Sequence, residues 1–223
     1  MAHLPQALRH SWQDSRFLLE HWLEDPDARC EPDPDRHVVR LLSPDFQLRA
    51  ELRLPLPLDP LPAAAGALPA YLESMPDTPQ PYLMTLVQLG AAAMGYFEEG
   101  EPVVHKAFKK YMKRHKQGRA QINYLKTRGK SKAGSRVRLA NTIDFFEEVN
   151  ERLTVWETHY RPPRILYSCT AQVWGLMFQS SVPPPFEKKD PRLIKIPLDV
   201  DVPTFEELLN VNDLVNCGWE RRL

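Results

Sequence analysis

The sequence predicts an α/β protein: a mixed β-sheet covered by helices, with an N-terminal helix-plus-hairpin extension. Three observations carry this prediction. Apolar runs of strand length recur between residues 83 and 112, around the turn Glu98-Glu99-Gly100-Glu101. From Ser135 to Val215 helical apolar periods alternate with strand-length runs, the pattern of a sheet layered with helices. A Pro- and Ala-rich stretch over residues 55–81 separates that part from what precedes it.

Residues 6–24 read as an amphipathic helix, with Leu8, Trp12, Phe17, Leu18, Trp22 and Leu23 mostly on one side. Asp25-Pro26 and the acidic, Pro-rich run to Pro34 end it. Val38–Leu42 and Phe46–Leu54 alternate in the manner of strands, and Ser43-Pro44-Asp45 joins them as a hairpin. Residues 55–81 read as a linker holding a short helix at 67–74, and as the domain boundary. The division is therefore 1–80, an N-terminal region of unassigned role, and 81–223, the main α/β domain. Within the second part, Leu83–Leu89 is a buried strand, Ala91–Phe97 a strand of unusually small residues, and Pro102–Met112 a third. Residues 114–134 are basic and polar without an apolar period, hence loop. Ser135–Leu153 is a helix with Leu139, Ile143, Phe146 and Val149 inward and Ser135 as its N-cap. Arg164–Cys169 is a strand, 171–179 a short helix, and Leu193–Leu198 the last strand. Thr204-Phe205-Glu206-Glu207 is a capping box opening a final helix with Leu208, Val211 and Val215 inward.

The 223 residues suffice for a substantial core, and Lys plus Arg equal Asp plus Glu at 29 each, so net charge identifies no partner. Three widely spaced cysteines without a CxxC favour reduced thiols over disulfides or a zinc site. The first residues lack the basic start and apolar run of a signal peptide, and no segment has the apolar length of a membrane helix. The expectation is a soluble cytoplasmic protein.

Charge distribution is informative where total charge is not. No acidic residue occurs between Glu101 and Asp144, while thirteen Lys and Arg lie between Lys106 and Arg138, interleaved with Phe108, Tyr111 and Tyr124. Such a segment suits RNA: cations meet phosphates and aromatic rings stack on bases. A solvated strand face followed by a linker is the plainer alternative. Lys116, Arg119, Lys130, Lys132, Arg136 and Arg138 are the candidates for phosphate contact, and a helix beginning at Ser135 would add free backbone amides.

His105-Lys106-x-Phe108, Lys116-Gln117-Gly118-x-Ala120-Gln121, Ala133-Gly134-x-x-Val137-Arg138 and Asn141 occur in this order. Together they resemble the Vms-like release factors, the stalled-ribosome peptidyl-tRNA hydrolases related to the middle domain of the eukaryotic and archaeal class I release factor. Pro203-Thr204-Phe205-Glu206-Glu207 is similar to that family's last helix, and the resemblance covers residues 82–220. It implies a release-factor fold in which Gln121, at the tip of a loop, helps water attack the ester between nascent peptide and tRNA. A neutral amide suits that task, because it can accept from water and donate to a developing oxyanion. Gly118 and Ala120 would shape the loop. Arg119 stands where termination factors carry Gly, a relaxed first position closer to the Vms-like branch. The implied partners are large-subunit rRNA and peptidyl-tRNA, with no metal or organic cofactor and no membrane. Phosphodiester cleavage near the tRNA 3′ end, and a ribosome- or tRNA-binding adaptor without catalysis, are the competing readings.

Other chemistries lack their signatures. His105 and His115 have no companions at metal spacing, and no nucleotide-binding glycine loop or nucleophile elbow occurs. Cys169 closes an apolar strand and reads as a packing residue rather than a nucleophile. Trp156, Trp174 and Trp219 read as core or partner-surface residues.

Overall fold

The computed structural model describes residues 7–110 and 130–223, with side chains from Asp144 onward in the helix that opens the second stretch. Two five-stranded sheets carry the fold. The first is antiparallel throughout and runs β1 (Ala7–His10), β10 (Gly218–Arg222), β4 (Leu48–Arg53), β3 (Val38–Leu42), β2 (Arg29–Asp33) from edge to edge. The second is mixed, in the order β7 (Glu101–Lys109), β6 (Ala91–Glu98), β5 (Tyr82–Gln88), β8 (Arg164–Ser168), β9 (Leu193–Lys195), with β5, β8 and β9 parallel.

The second sheet has the expected α/β layering. On one face α3 (Lys130–Tyr160) and α4 (Ala171–Gln179) bury Phe145, Phe146, Val149, Leu153, Val173 and Met177 against Leu83, Met94 and Ile165. On the other, α5 (Phe205–Val215) buries Leu208, Val211 and Val215 against Tyr82, Met84 and Phe97. Both faces of β5 and β6 are therefore covered, which is why their sequences read as continuous apolar runs. The β6–β7 hairpin turns at Glu99 and Gly100, at φ 51° and 85°, where a Gly removes the left-handed penalty at one of two positions.

Several expectations are corrected. Residues 6–24 are not one helix. Ser11 caps α1 (Trp12–Glu24), its Oγ accepting from Asp14 N at 3.1 Å, and residues 7–10 form a strand instead. Only Trp12, Ser15, Leu19 and Trp22 of α1 are buried, whereas Phe17 and Leu8 face solvent. The acidic run after α1 contains β2, an edge strand that tolerates Pro32 because its ladder has one free side. Residues 55–81 hold the expected short helix, α2 (Leu68–Ser74), but are pinned to the cores at intervals. Leu56, Leu58, Leu61, Leu68 and Met75 are buried, and Leu56 N donates to Val215 O at 2.9 Å.

Helix α3 begins at Lys130, so Ser135 lies inside it and is not an N-cap, and the helix start is five residues earlier than expected. In the terminal capping box Thr204 Oγ1 accepts from Glu207 N at 3.1 Å as predicted. The Glu207 carboxylate, however, accepts from Asp201 N rather than from the cap residue. The closing strand β10, not anticipated, lies in the first sheet between β1 and β4 although it follows the last helix of the second layer. No helix among the described residues is long and apolar enough to cross a membrane.

Candidate functional site

The acid-free segment leaves the second sheet at β7 and returns at α3. As an edge strand β7 pairs only with β6, and its side chains alternate between the two helical layers. Phe108 points into the α3 layer and is buried there, while Lys106 and Lys110, at the same parity, flank it. Lys106 Nζ lies 5.8 Å from the Phe108 ring centroid, and Lys110 Nζ reaches Glu148 Oε2 on α3 at 3.2 Å. The Lys110 amide donates to Gly90 O at 2.9 Å, fixing the backbone where it leaves the sheet. That ion pair is half-exposed and contributes roughly 0.2–1 kcal/mol; the buried Phe108 and the backbone bond define the exit more firmly.

At the opposite parity, the His105 ring stacks on Phe205 at the start of α5, with centroids 3.7 Å apart and planes at 18°. The cross-strand partner of His105 is Gly95. A Cβ at Gly95 would sit 2.9 Å from Phe97 Cε2 and 3.1 Å from Leu208 Cδ2, so the absent side chain lets α5 approach the sheet. The network Tyr82–Asn212–Asn216 fixes α5 in turn. Tyr82 Oη donates to Asn212 Oδ1 and accepts from Asn216 Nδ2 at 2.8 Å, and Asn212 Nδ2 donates to Gly100 O at 2.8 Å. Burial raises the Tyr82 hydroxyl above its ordinary range and keeps it a donor.

The returning stem is anchored far along α3. Asn150, fully buried, donates through Nδ2 to Met177 O at 2.9 Å and Val182 O at 2.8 Å, tying α3 to the end of α4. Near the end of α3, Glu157 accepts from Arg192 at 2.9 Å, and Arg192 also engages Asp190 at 2.8 Å. The two described stems of the segment, β7 and α3, thus meet on the same face of the second sheet, through buried Phe108 and the Lys110–Glu148 pair.

Of the residues singled out from sequence, Lys130, Lys132, Arg136 and Arg138 fall on α3. Lys116, Gly118, Arg119, Ala120 and Gln121 lie outside the described residues, as does His115. Burial pushes the Cys169 thiol up to about 11, so it is protonated at neutral pH and suited to packing rather than attack. Trp156 is buried in the α3 layer, and Trp174 stacks on Tyr167 with centroids 4.4 Å apart. Two positioning residues were missed. Phe205 looked only like the first residue of a capped helix. Asn150 carried a usable signal: a polar residue in the inward stripe that runs through Phe146, Val149 and Leu153.

Residues 82–217 match the family described as the Bacteroidetes VLRF1 release factor. A mouse protein named tRNA endonuclease ANKZF1 is 29% identical over 136 residues, covering 60% of this chain and 18% of that protein. A Caenorhabditis elegans protein named tRNA endonuclease vms-1 is 28% identical over 134 residues, covering 59% of this chain and 20% of its own length. The chain therefore spans at most 20% of the length of these curated relatives. A solved structure titled Vms1 mitochondrial localization core superposes with a TM-score of 0.49 at 13% identity, over 95% of this chain and 82% of that one.

Proposed function

This chain belongs to the VLRF1 release-factor family, and from that premise we propose that it is a peptidyl-tRNA hydrolase of ribosome rescue, acting in the cytoplasm. The carrying observation is that the family match spans the whole acid-free segment, from the strand before it to the helix after it. In this reading Gln121 positions the water that attacks the ester. Gly118 and Ala120 keep the tip slim enough to approach the tRNA end. Lys116, Arg119, Lys130, Lys132, Arg136 and Arg138 meet the phosphates of rRNA and the acceptor stem. The amide accepts one hydrogen bond from water and donates another to the oxyanion, gaining strength where bulk water is excluded. The reaction is hydrolysis: water adds to the ester carbonyl, and the tRNA 3′ oxygen leaves with a proton. The pinned exit at Lys110 and the anchored α3 support this reading, because a loop that delivers one side chain needs fixed ends.

The names of the mouse and nematode relatives favour a second reading, cleavage of a phosphodiester near the tRNA 3′ end. Arg119 in place of Gly favours a third, an adaptor that binds without catalysis. One experiment separates all three: purified stalled ribosome–nascent-chain complexes are incubated with the protein, and peptide and tRNA are read on the same gel. Released peptide with full-length tRNA, abolished by Gln121→Ala while large-subunit binding persists, is the expected result. Undiminished release by Gln121→Ala refutes the assignment. Shortened tRNA selects the nuclease, and binding without any product selects the adaptor.

A further inference from the structure

A cleft of about 590 Å³ opens between the two sheets, at the edge opposite the basic loop. Its cationic lining comes from three places: Arg36 in the β2–β3 turn, Arg53 at the end of β4 and Lys195 at the end of β9. Asp35 is the one carboxylate in the lining, and the His37 ring is neutral at physiological pH because burial lowers its pKa to about 4. Pro34, Pro60, Pro191 and Pro197 also line the cleft and contribute no backbone N–H to it.

The charges are unevenly satisfied. Glu51 accepts from Arg221 at 2.6 Å and from Arg36 at 3.3 Å, with Arg40 Nε at 3.7 Å, so one carboxylate serves three guanidinium groups. Arg53 has none. Its Nε is buried without a hydrogen-bond partner, and no carboxylate lies within ion-pair distance of it among the described residues. Burial of that atom and the neighbouring Arg36 both work against the charge and Glu51 offsets them only in part, so the guanidinium facing the cleft is short of anionic partners. Beside it Arg36 and Arg53 also line a smaller recess of about 170 Å³ with Trp219, Arg221 and the Glu51 carboxylate, where three guanidinium groups outnumber one acid across the uncovered face of the first sheet. A neighbouring indole gives that surface a face on which a base can stack.

We propose that this cleft is a second RNA-backbone site, in which Arg53 and Lys195 hold a phosphodiester and Arg36 flanks it. The proposal rests on the reading that the protein works on ribosomal or transfer RNA. Four interstrand spacings of about 4.8 Å separate the cleft edge from the loop edge, about 19 Å in all. RNA engaged at both is thus gripped across the width of the sheet, which fixes the orientation of the loop over its target.

The test uses the full chain and a fluorescein-labelled oligouridylate, with affinity by anisotropy across a salt series. Arg53→Gln is expected to weaken binding about tenfold, the loss of one charge-assisted contact, and to flatten the log–log salt slope by about 0.7. Lys195→Gln, an exposed edge-strand substitution, is expected to flatten the slope by a similar amount, and it keeps the proposal testable should Arg53→Gln not fold. Both are repeated with Lys116→Gln and Arg119→Gln present, so that loop contacts do not mask the cleft. An unchanged slope for Lys195→Gln and for any folded Arg53→Gln overturns the proposal. So does full displacement of the cleft-dependent binding by adenosine monophosphate at concentrations where equimolar inorganic phosphate and uridine do nothing, since the site is then a mononucleotide pocket. Peptide release by the unaltered chain is scored separately, so failure here leaves the proposed activity standing, and the reverse.

Discussion

Replacing Asn150 with Ala is expected to destabilise the protein by about 2 kcal/mol. The side chain is fully buried and donates to Met177 O and Val182 O at 2.9 and 2.8 Å. Met177 O keeps a long bond from Ser180 N at 3.4 Å, but Val182 O has no other partner among the described residues. Losing the bond to Met177 O removes about 1 kcal/mol, and abandoning the Val182 carbonyl costs about 1–3 kcal/mol with its own lost bond included. The Val182 carbonyl is only part-buried, which brings the second figure to its lower end. Asn150 Oδ1 is itself unpartnered, so its removal costs nothing. Equilibrium urea unfolding followed by the fluorescence of buried Trp156 reads the change, and with a slope of about 2 kcal/mol per molar the midpoint should fall by roughly 1 M. Asn150→Asp adds a sign. An ionised carboxylate facing two carbonyl oxygens has its pKa raised, so the variant should be most stable below the unfolded carboxyl pKa and lose stability as pH rises through the folded one. A midpoint for Asn150→Ala within about 0.2 M of the parent refutes the claim that this amide ties α3 to α4.

The remaining predictions concern the fold around the site. Ring Nε2 of His37 carries its proton and donates it to Pro55 O at 3.1 Å, and burial lowers the pKa from 6.5 to about 4. Between those values the unfolded chain binds the extra proton, so stability is full above pH 6.5 and falls by up to about 3 kcal/mol as pH drops to 4. His37→Asn, tolerated at φ 53°, should flatten that profile in thermal melts, and an unaltered profile would contradict it. Gly95→Ala forces its Cβ against the buried Phe97 ring and Leu208, and should cost about 1–3 kcal/mol by overpacking. A change below about 0.5 kcal/mol in urea unfolding would show that α5 does not depend on this close approach.

Much of the fold was legible in the chain. Tyr82–Gln88, the alanine-rich Ala91–Glu98 and the Glu-Glu-Gly turn show their pairing locally, and Thr204 starts α5 where its cap predicts. The places where reading failed share a cause. Residues 7–10 look helical because Leu8 and Trp12 are four apart, but β10 offers them a ladder from the far end of the sequence. Residues 55–81 look like linker because prolines dominate, yet the intervening leucines find two cores to fill.

Alone, the sequence determined which segment concentrates cations, which amide stands in it, and which family those residues resemble, because charge runs and short motifs are local properties. Only the tertiary structure decided that the segment departs from an edge strand and returns as a helix packed on one face of that same sheet. It also decided that the last strand closes the first sheet, and that Arg53 from β4 and Lys195 from β9, 142 positions apart, line one cleft. Those facts depend on which distant strands meet. That choice is made by burying apolar faces against each other, and no neighbouring residues record it.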